Sequence, residues 1–142
     1  MTQPIELTLT RTIPAPRKSV FEAWLDKATL IKFMAGGADV ICKQVENEPR
    51  VGGTFFILMR TPDRDVPHTG VYTAITPHER LAFTWLSPHA GPGSEVTLTF
   101  KELGPKETEL TLHHTGFTTE AQRNGHEGGW GHCFNHLVRA LT

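Results

Sequence analysis

With 142 residues the chain has the length of one ordinary domain, and a hydrophobic fraction of 38% with 13 glycines is typical of globular proteins, not of disordered or membrane-embedded ones. Its 14 Lys and Arg residues balance 15 Asp and Glu residues, without any run of like charge. This balance argues against nucleic acids and anionic membrane surfaces as partners, because both are held mainly by clustered basic residues.

Targeting signals and cysteine frameworks are also missing from the sequence. The N-terminal residues lack a basic segment followed by an apolar run, and every apolar stretch is far shorter than the ~18–20 residues that span a bilayer. We therefore expect a cytoplasmic protein without membrane insertion. Cys42 and Cys133 lie far apart and form no CxxC pair, so neither a structural zinc site nor a disulfide scaffold is expected.

The N-terminal part of the chain predicts one strand followed by two short helices. Residues 5–13 alternate between apolar and polar, which indicates a strand with one buried face. Pro14 ends this strand, and apolar residues at helical spacing then predict a helix to about Leu25. Asp26 is a suitable N-cap for a second helix that ends at Gly36. The apolar stripe of that second helix consists of Leu30, Phe33 and Met34.

The middle of the chain predicts six consecutive strands joined by turns rich in Gly and Pro. Apolar and polar residues alternate in most of these segments, and the connections between them are short. The predicted strands are residues 39–46, 54–60, 69–76, 81–85, 95–102 and 108–114. Consecutive strands with short connections form an antiparallel meander, so the first strand of the chain must join the sheet at an edge.

A long helix closes the chain. Thr119 and Gln122 have the spacing of a capping box and predict a helix from there to about Leu141. Its apolar stripe consists of Trp130, Cys133, Phe134, Leu137 and Leu141. We expect a single α+β domain over residues 1–142, with a curved antiparallel seven-stranded sheet around this helix. One helix laid across a curled sheet leaves a gap, which is the natural place for a ligand.

Five motifs in chain order resemble a known superfamily. The first two are Arg11-x-Ile13-x-Ala15-Pro16-x-x-x-Val20-Phe21-x-Ala23-Trp24 and Gly52-Gly53-x-Phe55-x-x-x-Met59. The others are Gly70-x-Tyr72-x-x-Ile75-x-Pro77-x-x-Arg80-Leu81-x-Phe83-x-Trp85, Thr111-Leu112-x-His114-x-Gly116-Phe117 and Gly125-His126-x-x-Gly129-Trp130. The chain resembles the START-like, or SRPBCC, superfamily, and within it the branch similar to the C-terminal domain of the heat-shock-protein-90 ATPase activator.

This resemblance implies a helix-grip fold and a choice of functions. The superfamily includes lipid and hormone carriers, polyketide cyclases and co-chaperones, and a shared fold does not determine a shared activity. The co-chaperone has a separate N-terminal domain that engages the chaperone, and 142 residues leave no room for one. Chaperone contact is therefore a secondary expectation.

Candidate ligand contacts are the residues expected to face the gap. They are Phe55, Ile57, Met59, Tyr72, Phe83, Trp85, Leu98, Phe100, Leu112, His114, His126, Trp130, Phe134 and Leu137. Tyr72 shares its strand phase with the small residues Gly70 and Ala74, which would leave space beside its phenol. His114, His126 and Tyr72 are also candidates for acid–base catalysis, although a structural role is an equal or stronger alternative for each.

No metal site and no cofactor are expected. His126-Glu127-Gly128-Gly129-Trp130 begins like a zinc-protease helix, but Trp130 replaces the second histidine that such a site needs. His132 and His136 have the right spacing on a helix but lack obvious further ligands. Phe56 and Leu58, on the outer phase of their strand, could support a homodimer.

Three hypotheses follow from the sequence. The leading one is binding of a small hydrophobic ligand, aromatic or lipid-like, in the gap under the last helix. The second is a cyclase- or hydrolase-like enzyme acting on an aromatic or polyketide-type substrate through His114, His126 or Tyr72. The third is a stress-related module that contacts a chaperone.

Overall fold

The computed structural model describes residues 4–142 and contains one antiparallel sheet of seven strands with three helices. The strands are β1 (Ile5–Ile13), β2 (Ile41–Asn47), β3 (Thr54–Arg60), β4 (Asp65–Thr76), β5 (Arg80–Thr84), β6 (Glu95–Gly104) and β7 (Glu107–Phe117). The helices are α1 (Arg17–Ala23), α2 (Lys27–Phe33) and α3 (Glu120–Leu141). The sheet order is β1-β7-β6-β5-β4-β3-β2, so the six-strand meander and the placement of β1 at an edge are confirmed.

Strand β4 begins four residues earlier than the sequence predicts, and the reason is local. Pro67 lies in this added segment, and proline has no N–H for the ladder. It pairs with Leu58 of β3, while β5 pairs only with residues 72–76 of β4 and Leu86 bridges to Thr69. The start of β4 therefore has a strand neighbour on one side alone, where a missing N–H is tolerated.

Both predicted helix caps are confirmed. The Asp26 carboxylate accepts a hydrogen bond from the backbone N–H of Thr29 over 3.1 Å. The Thr119 hydroxyl oxygen accepts one from the backbone N–H of Gln122, also over 3.1 Å. The reciprocal half of the capping box is displaced by one residue, because the Gln122 side chain accepts from Thr118 instead. These bonds satisfy donors that a helix start otherwise leaves unpaired.

The long helix α3 lies across the concave side of the sheet together with α1 and α2. Its buried residues are Trp130, Cys133, Phe134 and Leu137. Trp24, at the end of α1, packs between α2 and α3, with its ring centroid 5.0 Å from that of Phe33 and 6.3 Å from that of Phe134. The two short helices thus fill much of the space that the sequence analysis left open, and the remaining gap lies beside the first half of α3.

Candidate functional site

A cavity of about 460 Å³ lies between the first half of α3, the adjoining ends of β3 and β4, and the segment that follows β5. It is lined by Gly36, Val40, Met59, Thr61, Val66, His68, Trp85, Ser87, His89, Ala121, Gln122, Gly125, His126, Gly129, Trp130 and Cys133. His89 and Gly125 are exposed, so the cavity opens to solvent.

Two tryptophans form much of the apolar wall. The ring centroids of Trp85 on the sheet side and Trp130 on α3 are 4.9 Å apart, and the rings are tilted by 49°. Met59 and Val66 add aliphatic surface from neighbouring strands. Such a wall favours flat apolar groups, and the flexible thioether of Met59 can adapt to their shape.

The polar part of the wall contains three histidines and no formally charged side chain among the described residues. His68 is 7% exposed, and its Nδ1 lies 3.3 Å from the carbonyl oxygen of Ile57. Burial lowers the pKa of His68 to about 4; the Ile57 carbonyl opposes this shift, and His126 and His89 nearby reinforce it. The ring is therefore neutral near pH 7.

His126 lies on α3, one turn before Trp130, and is half-buried. Its Nδ1 is 2.8 Å from the carbonyl oxygen of Gln122. Burial lowers the pKa of His126, against the opposing effect of the Gln122 carbonyl, and His89 lowers it further. Because a carbonyl oxygen only accepts, Nδ1 carries the proton of the neutral ring and Nε2 has a free lone pair.

His114 lies behind this wall rather than in it. Its Nδ1 accepts a hydrogen bond from the indole Nε1–H of Trp130 over 3.1 Å, so the proton of the neutral ring is on Nε2. Nε2–H then donates to the Ser94 hydroxyl oxygen over 2.6 Å. Burial lowers the pKa of His114 to about 3, with smaller contributions from His126 and His113. Both ring nitrogens are occupied, so the structure supports a structural role for this residue.

Tyr72 is buried in the core and does not border the cavity. Its hydroxyl accepts a hydrogen bond from the Asn47 side-chain amide over 3.2 Å. Burial raises the pKa of this phenol, and the Asn47 hydrogen bond partly opposes the shift. The space expected above Gly70 is filled, because a Cβ on Gly70 would collide with the Phe55 ring and the Thr84 carbonyl oxygen.

The predicted contact residues thus fall into three groups. Those that line the cavity are Met59, Trp85, His126 and Trp130. Those that instead surround a separate void of about 10 Å³ in the core are Phe55, Ile57, Tyr72 and Phe83, while Trp85 borders both spaces. Those that are buried in the core and line neither space are Leu98, Phe100, Leu112, His114, Phe134 and Leu137. The second group is separated from the cavity because Trp24, Leu30 and Met34, from α1, α2 and their ends, cover that part of the sheet.

Comparison with known proteins places the chain in a family. The family model described as "Activator of Hsp90 ATPase homolog 1-like protein" matches residues 14–142. The chain belongs to this family. No protein with a curated description matches it.

Solved structures similar to this family member agree with its fold. Protein CV1439 from Chromobacterium violaceum is 23% identical, with a TM-score of 0.85 and 96% of each chain covered. The AHSA1-like protein from Aeromonas hydrophila is also 23% identical, with a TM-score of 0.75, and the match covers 95% of this chain and 92% of that one. A protein of unknown function from Staphylococcus aureus, SA2116, is 16% identical with a TM-score of 0.80, covering 98% of this chain and 94% of that one. At these identities the likeness establishes the helix-grip fold alone.

Several cavity residues of this family member were not expected from the sequence. Val66 and His68 lie in the part of β4 that precedes the predicted strand, and Ser87 and His89 lie in the segment that follows β5. A strand pattern does extend to Val66 and His68, because their burial continues the alternation of β4 across Pro67. No comparable pattern marks Ser87 and His89.

Neither a reactive cysteine nor a metal site is found among the described residues. Burial raises the pKa of Cys133 to about 12 and that of Cys42 to about 11, so both thiols stay protonated and poorly nucleophilic at neutral pH. Within residues 4–142, no group of three or more His, Cys, Asp or Glu residues is arranged to hold a metal ion. In the same range, no helix has the length and apolar character needed to cross a membrane.

Proposed function

We propose that the chain binds a small apolar ligand, aromatic in character, in the cavity beside the first half of α3. The observation that carries this proposal is the cavity of about 460 Å³ with Trp85, Trp130, Met59 and Val66 in its wall. Ligand pockets have volumes of roughly 300–1,000 Å³, with mostly apolar walls and few polar groups. Family membership supports the proposal, because the helix-grip fold is one that commonly encloses hydrophobic ligands.

The expected affinity follows from the area that a ligand buries. A bicyclic aromatic ring that buries about 200 Å² of apolar surface gains about 5 kcal/mol, at about 25 cal/mol per Å². Contacts made by the two tryptophan rings add to this gain, and lost motion of the ligand reduces it. Dissociation constants of roughly 0.1–1 mM are therefore expected for a naphthalene-sized probe.

Two glycines of α3 provide a matched test. Gly125 lines the cavity and Gly128 does not, both are exposed, and a Cβ on either meets nothing within 4 Å. A 2-methoxynaphthalene titration followed by NMR should shift the indole signals of Trp85 and Trp130. Gly125→Leu should weaken binding, while Gly128→Leu, which makes a similar change in helix propensity, should leave it unaltered. Equal affinity in all three proteins, or no binding to any, would overturn the proposal.

A catalytic role is a second candidate, supported by one residue of the three predicted. His126 keeps a free nitrogen at the cavity, whereas both nitrogens of His114 are occupied and Tyr72 is in the core. In this alternative, His126 Nε2 takes a proton from a cavity-bound aromatic substrate. Turnover that is lost in His126→Ala while binding survives would favour it over simple binding.

Chaperone contact is a third candidate, which the family description supports. If it is the main function, capture of an Hsp90 chaperone by the purified chain should not depend on the interior of the fold. Phe83→Ala changes only buried surface and would then leave capture unaltered. Failure to capture the chaperone would remove this candidate without affecting the ligand proposal.

A further inference from the structure

We infer that the ligand carries a hydrogen-bond donor, an aromatic hydroxyl of the phenol class, and that carboxylate ligands are disfavoured. The inference rests on the proposed ligand binding and specifies its chemistry. It follows from which atoms of His126 and His68 face the cavity as acceptors.

His126 presents an acceptor. Its Nδ1–H is committed to the Gln122 carbonyl at 2.8 Å, which is an ordinary hydrogen-bond length. Among the described residues, its Nε2 has no hydrogen-bond partner and is not among the fully enclosed atoms. Since the ring lines the cavity, we assign the exposed surface of this Nε2 to the cavity.

His68 presents a second acceptor by the same reasoning. Its Nδ1 faces the Ile57 carbonyl at 3.3 Å, a longer contact, and the carbonyl again requires the proton on Nδ1. No hydrogen bond to its Nε2 is found within residues 4–142, and Nε2 is not among the enclosed atoms that lack a partner. The Val66 carbonyl also acts on the ring and, like that of Ile57, opposes the lowering of the His68 pKa. One residue on α3 and one on β4 therefore each contribute a lone pair to the same cavity.

No positively charged side chain among the described lining residues accompanies these two acceptors. The described lining of the cavity contains no Lys or Arg, and burial holds the pKa of both His68 and His126 below the usual value. Other donors are the Gln122 amide, the Ser87 hydroxyl and the His89 ring, all on residues less buried than His68. The Trp85 indole N–H also has no partner among the described residues, but the atom is fully enclosed and offers no surface to a ligand. A carboxylate would be desolvated beside two acceptors, which is unfavourable, whereas a hydroxyl can donate to either.

The test compares three probes that share one ring system at pH 7.5. They are 2-naphthol, which donates a hydrogen bond; 2-methoxynaphthalene, which only accepts; and 2-naphthoate, an anion. One neutral hydrogen bond predicts that 2-naphthol binds about two- to tenfold more tightly than 2-methoxynaphthalene. The naphthoate should bind more weakly than either.

Substitutions locate the acceptor. His126→Leu replaces the imidazole with an apolar side chain of similar size. It should remove most of the preference for 2-naphthol, while 2-methoxynaphthalene still binds. His132→Leu, on the same helix but outside the cavity lining, is the control and should keep the preference. In nitrogen-15 spectra of the histidine rings, His126 Nε2 should have the shift of an unprotonated nitrogen and should move with 2-naphthol but not with 2-methoxynaphthalene.

The outcomes separate this inference from the proposed function. Equal binding of 2-naphthol and 2-methoxynaphthalene, or tighter binding of 2-naphthoate, overturns the inference and leaves ligand binding intact. A preference for 2-naphthol that survives His126→Leu and the double variant His68→Leu/His126→Leu also overturns it. Binding of no probe overturns both proposals.

Discussion

The indole N–H of Trp130 donates a hydrogen bond to Nδ1 of His114 over 3.1 Å, and this bond connects the cavity wall to the core. His114 is completely buried and donates in turn to Ser94 over 2.6 Å. The orientation of the Trp130 ring, which forms one side of the cavity, thus depends on a neutral imidazole on β7. A buried polar chain of this kind stabilises the fold only while every member has its partner.

Replacement of His114 should therefore be costly. His114→Phe leaves the Trp130 indole N–H and the Ser94 hydroxyl without their partner, and we expect a loss of about 2–4 kcal/mol in the free energy of unfolding. Urea denaturation measures this change. The neighbour His113 is half-buried and faces the other side of the sheet, so His113→Phe should change stability by less than about 0.5 kcal/mol. Equal effects of the two substitutions would contradict the role assigned to His114.

Stability should fall as the pH is lowered from neutrality. In the folded chain the pKa of His68 is about 4 and that of His114 about 3, against about 6.5 in the unfolded chain. As the pH falls below about 6.5, the unfolded state takes up protons that the folded state does not, so the stability present above that pH is progressively lost down to about pH 3. The total for the two histidines is on the order of 5–10 kcal/mol.

Calorimetry between pH 7 and pH 4 measures this loss as a fall in Tm. His68→Leu removes one of the histidines whose pKa is lowered on folding, so its stability should depend less steeply on pH than that of the unaltered chain. If the two curves have the same slope, His68 is not held neutral by burial.

Glycines at two positions should respond to alanine in opposite ways. Gly128 is exposed within α3, and a Cβ there meets nothing within 4 Å, so Gly128→Ala should raise the free energy of unfolding by about 0.5–1 kcal/mol through helix propensity. Gly70 lies opposite Phe55 in the β3–β4 ladder, where a Cβ would collide with the Phe55 ring. Gly70→Ala should therefore destabilise by more than about 2 kcal/mol. Urea midpoints that move in the same direction for both would contradict this description of their surroundings.

The fold was largely predictable because local signals are strong in this chain. The alternation of residues 5–13 and 54–60 determined β1 and β3 to the residue, and Asp26 and Thr119 marked the starts of α2 and α3. Short connections then left a meander as the only simple arrangement of the six later strands.

The site was less predictable because it depends on packing between distant segments. Trp24 and its neighbours on α1 and α2 cover sheet residues that strand phase alone assigned to the gap, Phe55 and Phe83 among them. His68 is not among the predicted site residues because the predicted strand begins at Thr69, whereas β4 begins at Asp65 and continues through Pro67. Periodicity shows which face of a strand is buried, but not which element covers that face.

The most direct test of ligand binding is to locate a bound probe by intermolecular nuclear Overhauser effects. With 2-naphthol in excess, we predict effects from its ring protons to the Met59 methyl group and to the rings of Trp85 and Trp130. Gly125→Leu should weaken them and Gly128→Leu should not. Effects confined to the outer face of the sheet, at Phe56 and Val71, would contradict the account, as would the absence of any effect at saturating probe.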